Sequence, residues 1–96
     1  MRRRRGRPCL RRKINFNPRV KYFKPQGAPM ATLDVVELKN EELEAMRLKN
    51  LNNLDQKDCA ELMNTSPATL QRILSNAYQK VADALVKGKA IRVVKE

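Results

Sequence analysis

Apolar residues recur every three or four positions in three segments of the chain, the spacing that places them on one face of a helix. The pattern predicts a first helix over about 41–50, a second over about 56–63 and a third over about 66–86. The third is the longest, at roughly 30 Å for a rise of 1.5 Å per residue. Its apolar positions are Leu70, Ile73, Leu74, Ala77, Val81, Ala84 and Leu85.

Residues at the helix ends support these bounds. The side-chain oxygens of Asn40, Asp55 and Ser66 are expected to accept hydrogen bonds from the first turns of the three helices. Pro67 suits the first helical position, where its missing N–H has no intrahelical partner. Asn64 is expected to end the second helix, because asparagine tolerates the left-handed backbone of a helix terminus.

Two short stretches favour β-strands, residues 35–38 and residues 90–94, and a lone strand would be unstable, so we expect them to pair. The predicted fold is therefore mainly α: a tri-helical helix-turn-helix domain over 41–96, with a long third helix and a short two-stranded β pairing. Residues 14–40 hold three of the four aromatic residues and are expected to pack on this body as an extended segment. Residues 1–13 are expected to form a disordered basic arm.

The second helix is expected to turn Cys59, Ala60 and Met63 inward and to pack Leu62 against the first helix. The small Ala60 would let the second and third helices cross closely. Because Cys9 lies in the arginine-rich arm, no disulfide with Cys59 is expected, and a reducing compartment suits the chain.

Charge is concentrated at one end of the chain, which has a formal net charge of +11. Residues 31–96 hold ten basic and ten acidic side chains and are neutral in sum. Residues 1–30 contain no acid, and their eleven basic residues are Arg2, Arg3, Arg4, Arg5, Arg7, Arg11, Arg12, Lys13, Arg19, Lys21 and Lys24. A neutral body with a cationic leader favours a polyanionic partner.

Nucleic acid is the first candidate for that partner, and an anionic membrane is the second. Four prolines between positions 8 and 29 argue against an amphipathic membrane helix, and no acylation motif is present. No apolar run reaches the roughly 18 residues of a membrane span. We therefore expect a cytoplasmic, nucleoid-associated protein that binds double-stranded DNA and no membrane.

Catalysis has little support in the sequence. The chain of 96 residues has no histidine, no glycine-rich phosphate loop and no cysteine pair at metal-ligand spacing. Its acids cluster at the predicted helix starts, where capping accounts for them. We expect no enzyme activity, no cofactor, no metal and no small-molecule substrate.

A short helix, a tight turn and a longer helix that starts with Ser-Pro match the geometry in which a helix enters the major groove of DNA. The exposed side of the third helix would then meet base edges through Ala68, Thr69, Gln71, Arg72, Ser75 and Asn76. Arg72 suits guanine, Gln71 or Asn76 suits adenine, and Ala68 or Thr69 suits the thymine methyl group.

The remaining contacts are expected to be to phosphates or to the minor groove. On the helical body, the residues expected to make these contacts are Thr65, Ser66 and Lys80. On the arm they fall to Arg2, Arg3, Arg4, Arg5, Arg7, Arg11, Arg12 and Lys13. The segment Arg5-Gly6-Arg7-Pro8 resembles the core of an AT-hook, which inserts arginines into an A·T minor groove, whereas plain phosphate screening is the simpler interpretation.

From Phe16 onward the sequence resembles a family of small bacterial and archaeal predicted DNA-binding proteins. Their helix-turn-helix is similar to the −35-reading domain of sigma factors and to the DNA-binding domain of response regulators. The matching residues include Tyr22-Phe23-Lys24-Pro25, Glu42 to Leu48, Gln56, Ala60, Ser66, Arg72-Ile73-Leu74, Ala77, Lys80-Val81-Ala82 and Gly88-Lys89-Ala90. The resemblance implies a transcription regulator.

The sequence departs from that family at five positions. Asn53 and Asn64 stand where glycine is usual, and asparagine tolerates the left-handed conformation. Thr65 replaces an apolar turn residue, and Pro67 replaces a frequent arginine. Asn15 stands where many members have cysteine, so the resemblance supports no metal role there.

Two other functions stay open. An RNA-binding protein could stack unpaired bases on Tyr22 and Phe23 beside the cationic arm. A protein-interaction adaptor of the transcription machinery would bind no DNA. For DNA binding we expect a homodimer joined through the C-terminal half of the third helix or through the terminal strands, because one short helix in a groove seldom binds tightly.

Overall fold

A computed structural model describes residues 21–95 of the chain. The helices are α1 (Asn40–Met46), α2 (Gln56–Leu62) and α3 (Pro67–Lys87). The strands are β1 (Tyr22–Phe23), β2 (Val35–Lys39) and β3 (Ala90–Val94). One 3₁₀ turn (Met30–Thr32) precedes β2, and one π-helical turn (Arg47–Leu51) follows α1. The prediction of a mainly helical fold with a long third helix is confirmed.

The caps of α2 and α3 are those that the sequence predicts. The backbone N–H of Asp58 donates to Asp55 Oδ1 at 2.9 Å, and the N–H of Thr69 donates to Ser66 Oγ at 3.1 Å. Asn64 follows α2 with a φ of 59°. These local bonds explain why the bounds of α2 and α3 follow from sequence.

The first helix begins within one residue of its predicted start, but its cap and its end differ from the prediction. Asn40 is the first residue of α1 rather than its cap, and the N–H of Lys39 donates instead to Glu42 Oε1 at 2.9 Å. After Met46 the backbone widens into the π-helical turn, which the Asn52 N–H closes by donating to the Arg47 carbonyl at 3.0 Å. An intact α-helix to residue 50 therefore does not form.

The core lies where α1, α2 and the first half of α3 meet. Its buried residues are Ala45, Leu48, Cys59, Ala60, Met63, Leu70, Ile73 and Leu74. Cys59 is a free, fully buried cysteine, and burial raises the pKa of its thiol. It therefore packs as a small apolar side chain, as predicted.

Two apolar residues expected in the core are exposed. Leu62 is 43% exposed, because it points about 100° away from Met63 around α2 and so leaves the sector that faces the core. Leu85 is 74% exposed. It lies about 80° around α3 from the direction of Ala77, which marks the centre of the buried face. The buried face of α3 accordingly ends at Ala84.

The strands form one sheet in the order β1-β3-β2. The predicted pairing of residues 35–38 with residues 90–94 is confirmed, and it is parallel, from Val35 opposite Ala90 to Lys39 opposite Val94. The third strand, β1, was not predicted and pairs antiparallel with β3. Tyr22 and Phe23 in β1 are 51% and 56% exposed, so their backbone joins the sheet while much of each ring remains open to solvent.

The tight contact expected at Ala60 can be tested by substitution. Ala60 is 1% exposed within the core cluster, so the larger side chain of Ala60→Leu has no space. We expect a loss of about 1–3 kcal/mol in the free energy of unfolding, measured by urea denaturation. Leu62→Ala is the control on the same helix, and its partly exposed site predicts a smaller loss. Unchanged stability in Ala60→Leu would contradict the close packing.

Candidate nucleic-acid interface

The residues proposed to meet base edges lie together on α3. Ala68, Gln71, Arg72 and Asn76 are exposed, as is Ser75, and they occupy a sector of about 140° at 100° per residue. The opposite side of the same turns is buried, and its residues are Leu70, Ile73, Leu74 and Ala77. We call the exposed sector the α3 reading face.

One member of the reading face was missed at the sequence level. Gln79 is exposed and lies one turn after Ser75, in the same sector. The i, i+4 spacing from Ser75 is the signal that would have found it.

Charge on the reading face comes from a single cation. Before Asp83, α3 contains no acidic residue, and its basic residues up to that point are Arg72 and Lys80. Among the described residues no carboxylate lies within ion-pair distance of Arg72. Its guanidinium is therefore available to an external acceptor.

Hydrogen bonds link α2 to the start of α3. Gln56, at the first position of α2, donates from Nε2 to the carbonyl of Pro67 at 3.1 Å. The N–H of Thr65 donates to the carbonyl of Ala60 at 2.9 Å, which closes the turn between the helices. Together with the shared core, these bonds hold the reading face in one orientation relative to α2.

The predicted contacts at the start of α3 are partly occupied within the protein. Ser66 is exposed, whereas Thr65 and Thr69 are half-buried. The hydroxyl of Ser66 donates to Thr69 Oγ1 at 3.0 Å, while its oxygen accepts the Thr69 N–H. Thr69 Oγ1 therefore already accepts one bond within the protein, which leaves its O–H donor and its methyl group for DNA.

The structure gives Lys80 a partner inside the protein. Its Nζ lies 2.8 Å from Glu42 Oε1, and the Glu42 side chain is 4% exposed. Lys80 projects about 110° around α3 from the centre of the reading face. This ion pair joins α3 to α1, so a phosphate contact would have to compete with a buried carboxylate.

A second buried carboxylate strengthens the same region. Glu44 is 1% exposed, and it accepts two hydrogen bonds from Arg47, at 2.8 Å from Nε and 2.9 Å from the terminal nitrogen. These bonds raise the pKa of Arg47 further above its usual value. The buried acidic residues of α1 thus form ion pairs in addition to stabilising the N-terminus of the helix.

The predicted arm contacts lie outside the described residues. They are Arg2, Arg3, Arg4, Arg5, Arg7, Arg11, Arg12 and Lys13, and the intervening Gly6, Pro8 and Cys9 also lie outside the described residues.

Tyr22 lies opposite Arg92 in the sheet, and Arg92 pairs with Glu37 on the neighbouring strand. Residues 21–95 contain no helix with both the length and the apolar character of a membrane span.

Comparison with known proteins gives a family match along the whole chain. A family model described as "Protein of unknown function DUF134" matches residues 1–96. A UPF0251 protein of Thermoanaerobacter pseudethanolicus is 56% identical over 87 residues, which are 91% of this chain and 74% of the relative. A UPF0251 protein of Desulforudis audaxviator is 54% identical over 88 residues, or 92% of this chain and 58% of the relative.

A third UPF0251 protein, from Moorella thermoacetica, is 54% identical over 87 residues, which are 91% of this chain and 58% of the relative. The chain thus spans less than two thirds of the length of two of these three relatives. No solved structure gives a significant match to the chain.

Proposed function

Because the chain belongs to the family of proteins of unknown function DUF134, which assigns it no activity, we propose from its own residues that it binds double-stranded DNA sequence-specifically and regulates transcription. The observation that carries this proposal is the α3 reading face. It presents amide, hydroxyl and guanidinium groups without an acid, on a helix whose other side is fixed in the core.

The proposed mechanism is a helix-turn-helix interaction in which α3 lies in the major groove and α2 braces it. The major groove is wide enough for one helix, and its base edges present distinct donor and acceptor patterns. Arg72 donates two bonds to guanine, Gln71 or Asn76 pairs with adenine, and Ala68 meets a thymine methyl group. The lengths of α2 and α3 and the four-residue turn between them support this arrangement.

The basic arm supplies affinity in this proposal. Its arginines neutralise phosphates and release counterions, a contribution that does not depend on sequence. The Arg5-Gly6-Arg7-Pro8 segment adds contacts in an A·T minor groove. Association with the nucleoid follows from this general affinity for duplex DNA. Lys80 is left out of the interface, because its ammonium group is bound to Glu42.

Arg72→Ala tests the reading role directly. The substitution is expected to cost about 1–3 kcal/mol in binding to the preferred duplex and much less on random duplex, because a bidentate base contact is lost. The preferred duplex is first selected from a random pool, and both affinities are then measured by fluorescence anisotropy at one salt concentration.

Arg72→Lys is the matched variant, because it keeps the charge but loses the planar fork of donors. A base-reading role predicts that it loses sequence preference nearly as fully as Arg72→Ala does. Equal losses on both duplexes for Arg72→Ala, with recovery in Arg72→Lys, would instead make Arg72 a phosphate contact.

A specific observation favours single-stranded RNA as a second candidate. Tyr22 and Phe23 are more than half exposed on β1, and basic residues Lys21 and Lys24 flank them. Exposed aromatic rings beside cations can stack unpaired bases. Competition between duplex DNA and single-stranded RNA separates the two functions: RNA binding predicts that RNA wins and that Tyr22→Ala with Phe23→Ala removes its advantage. A protein-interaction adaptor would show no salt-dependent affinity for either.

A further inference from the structure

Apolar side chains are exposed along the C-terminal half of α3. Tyr78 is 41% exposed, Leu85 is 74% exposed and Val86 is 83% exposed, and the small Ala82 between them is also exposed. We call these four residues the α3 stripe. Tyr78, Ala82 and Leu85 lie within about 60° of one another around the helix. Val86 lies about 40° beyond Ala82, in the angular sector of the reading face but about two turns past Gln79 along the helix.

Charged side chains on α3 avoid this stripe. They are Arg72, Lys80, Asp83 and Lys87. At 100° per residue all four project within a sector of about 80°, on the side of the helix away from the stripe. The exposed neighbours of the stripe on the same helix, Ser75 and Gln79, are uncharged. In a chain with a net charge of +11, the stripe residues themselves therefore add no like-charge repulsion between two α3 helices.

The spacing of the stripe suits a helix of the same kind. Tyr78, Ala82 and Leu85 are separated by four and then three residues, which is the repeat of a helix–helix seam. The small residue at the centre allows two helices to approach closely at their crossing point. We propose that the α3 stripe is a homodimer interface, in which the α3 helices of two copies pair antiparallel about a twofold axis near Ala82.

The pairing also fits duplex DNA, a step that rests on the proposed function. Arg72, near the middle of the reading face, lies ten residues from Ala82, or about 15 Å along the helix. Antiparallel pairing therefore separates the two reading faces by about 30 Å, close to the 34 Å between major grooves one turn apart. The centre of the stripe is about 60° around the helix from the centre of the reading face, so both reading faces point toward the same side of the dimer.

The size of the stripe sets the expected strength of the dimer. A few side chains per copy bury less than the roughly 1,200–2,000 Å² of a standard protein interface. The free chain is therefore expected to dissociate in about the micromolar range, and DNA with two half-sites strengthens the pairing.

Sedimentation equilibrium of the full chain without DNA tests the interface. Leu85→Glu places a charge in the stripe and is expected to raise the dissociation constant of the dimer about tenfold or more. Because Leu85 is mostly exposed, the melting temperature should not fall when it is measured below the concentration at which the dimer forms. Ala68→Glu is the matched control: it adds the same charge to the same helix at an exposed site outside the stripe, and it should leave the dimer intact.

Cysteine cross-linking tests the axis itself. In a Cys9→Ser background, Ala82→Cys is expected to form a disulfide-linked dimer on mild oxidation, because residues at a twofold axis lie next to their own copies. Ala68→Cys should not cross-link, since it lies 14 residues along the helix from the axis. Cys59 stays in place because it is buried.

A chain that stays monomeric at millimolar concentration would overturn the proposal. So would equal effects of Leu85→Glu and Ala68→Glu, cross-linking no greater for Ala82→Cys than for Ala68→Cys, or a dimer lost only on deletion of residues 1–20. A dimer that depends on the stripe but binds no DNA would support this interface and contradict the proposed function. A monomer that binds a single half-site sequence-specifically would support the proposed function and contradict this interface.

Discussion

Deletion of residues 1–13 is expected to remove about 3–4 units from the slope of log affinity against log salt concentration. Residues 2–13 carry eight positive side chains, and each phosphate contact contributes about 0.9 to that slope, so the value assumes that roughly half of the eight reach phosphates. Between 50 and 200 mM salt, the affinity of the full chain should fall about 100-fold more than that of the truncated chain.

The measurement is a salt series on the selected duplex and on random duplex. Because residues 31–96 are neutral in sum, both affinities should drop together in the truncated chain, while the preference set by the reading face survives. If the truncated chain keeps its full salt slope, the arm takes no part in DNA binding. The charge distribution would then need another explanation.

Arg5→Lys with Arg7→Lys is the matched variant for the arm. It preserves the charge and therefore the salt slope, but it removes the flat guanidinium groups that fit a narrow minor groove. Loss of an A·T preference beside the core site would support minor-groove contacts. An unchanged preference would reduce the arm to phosphate screening.

Lys80→Met is expected to destabilise the protein by about 2–4 kcal/mol. The Glu42 carboxylate is 4% exposed and, within residues 21–95, would lose the ammonium group that pairs with it, which leaves a buried charge with the Lys39 N–H as its remaining donor. The value is set below that of a fully buried pair, because Lys80 itself is 30% exposed. Urea denaturation gives the free energy.

Glu42→Gln with Lys80→Met is the control, because it removes both charges and keeps the shape of the site. It should recover a large part of the lost stability, since no buried charge is left without a partner. A similar loss in the single and double variants would show that the ion pair itself is unimportant. Retained stability in Lys80→Met, with weaker DNA binding that is uniform across sequences, would restore the phosphate role first expected for Lys80.

The ends of α2 and α3 and the buried face of the first half of α3 were the parts of this fold that sequence could predict. Asp55 and Ser66 cap helices through bonds to residues three positions later, so the information is local. The 3.6-residue period likewise separates the reading face from Leu70 and Ala77. The capping residues and the helical period can both be read from the sequence without knowledge of the tertiary structure.

Features that depend on distant contacts could not be predicted. The pairing of Lys80 with Glu42 spans 38 residues, and a lysine at the edge of an amphipathic helix otherwise looks solvated. The two residues of β1 are too few to show a β pattern, and they form a strand only because β3 offers an edge. The π-helical turn after Met46 has no residue signature of its own, although it places Asn50 where its Oδ1 accepts the Tyr78 hydroxyl at 2.7 Å.

The strand order also has a consequence for how the chain folds. β3 is the last of the three strands in residues 21–95 but lies at the centre of the sheet. Neither β1 nor β2 therefore has a partner strand until Ala90–Val94 has been made. The helices α1, α2 and α3 lie between β2 and β3 in sequence. The pairing of these two strands therefore joins residues that are far apart along the chain. During synthesis the helices can form and pack first, because the contacts between them span fewer residues than the 55 that separate paired positions of β2 and β3, whereas the sheet is completed only when its central strand emerges.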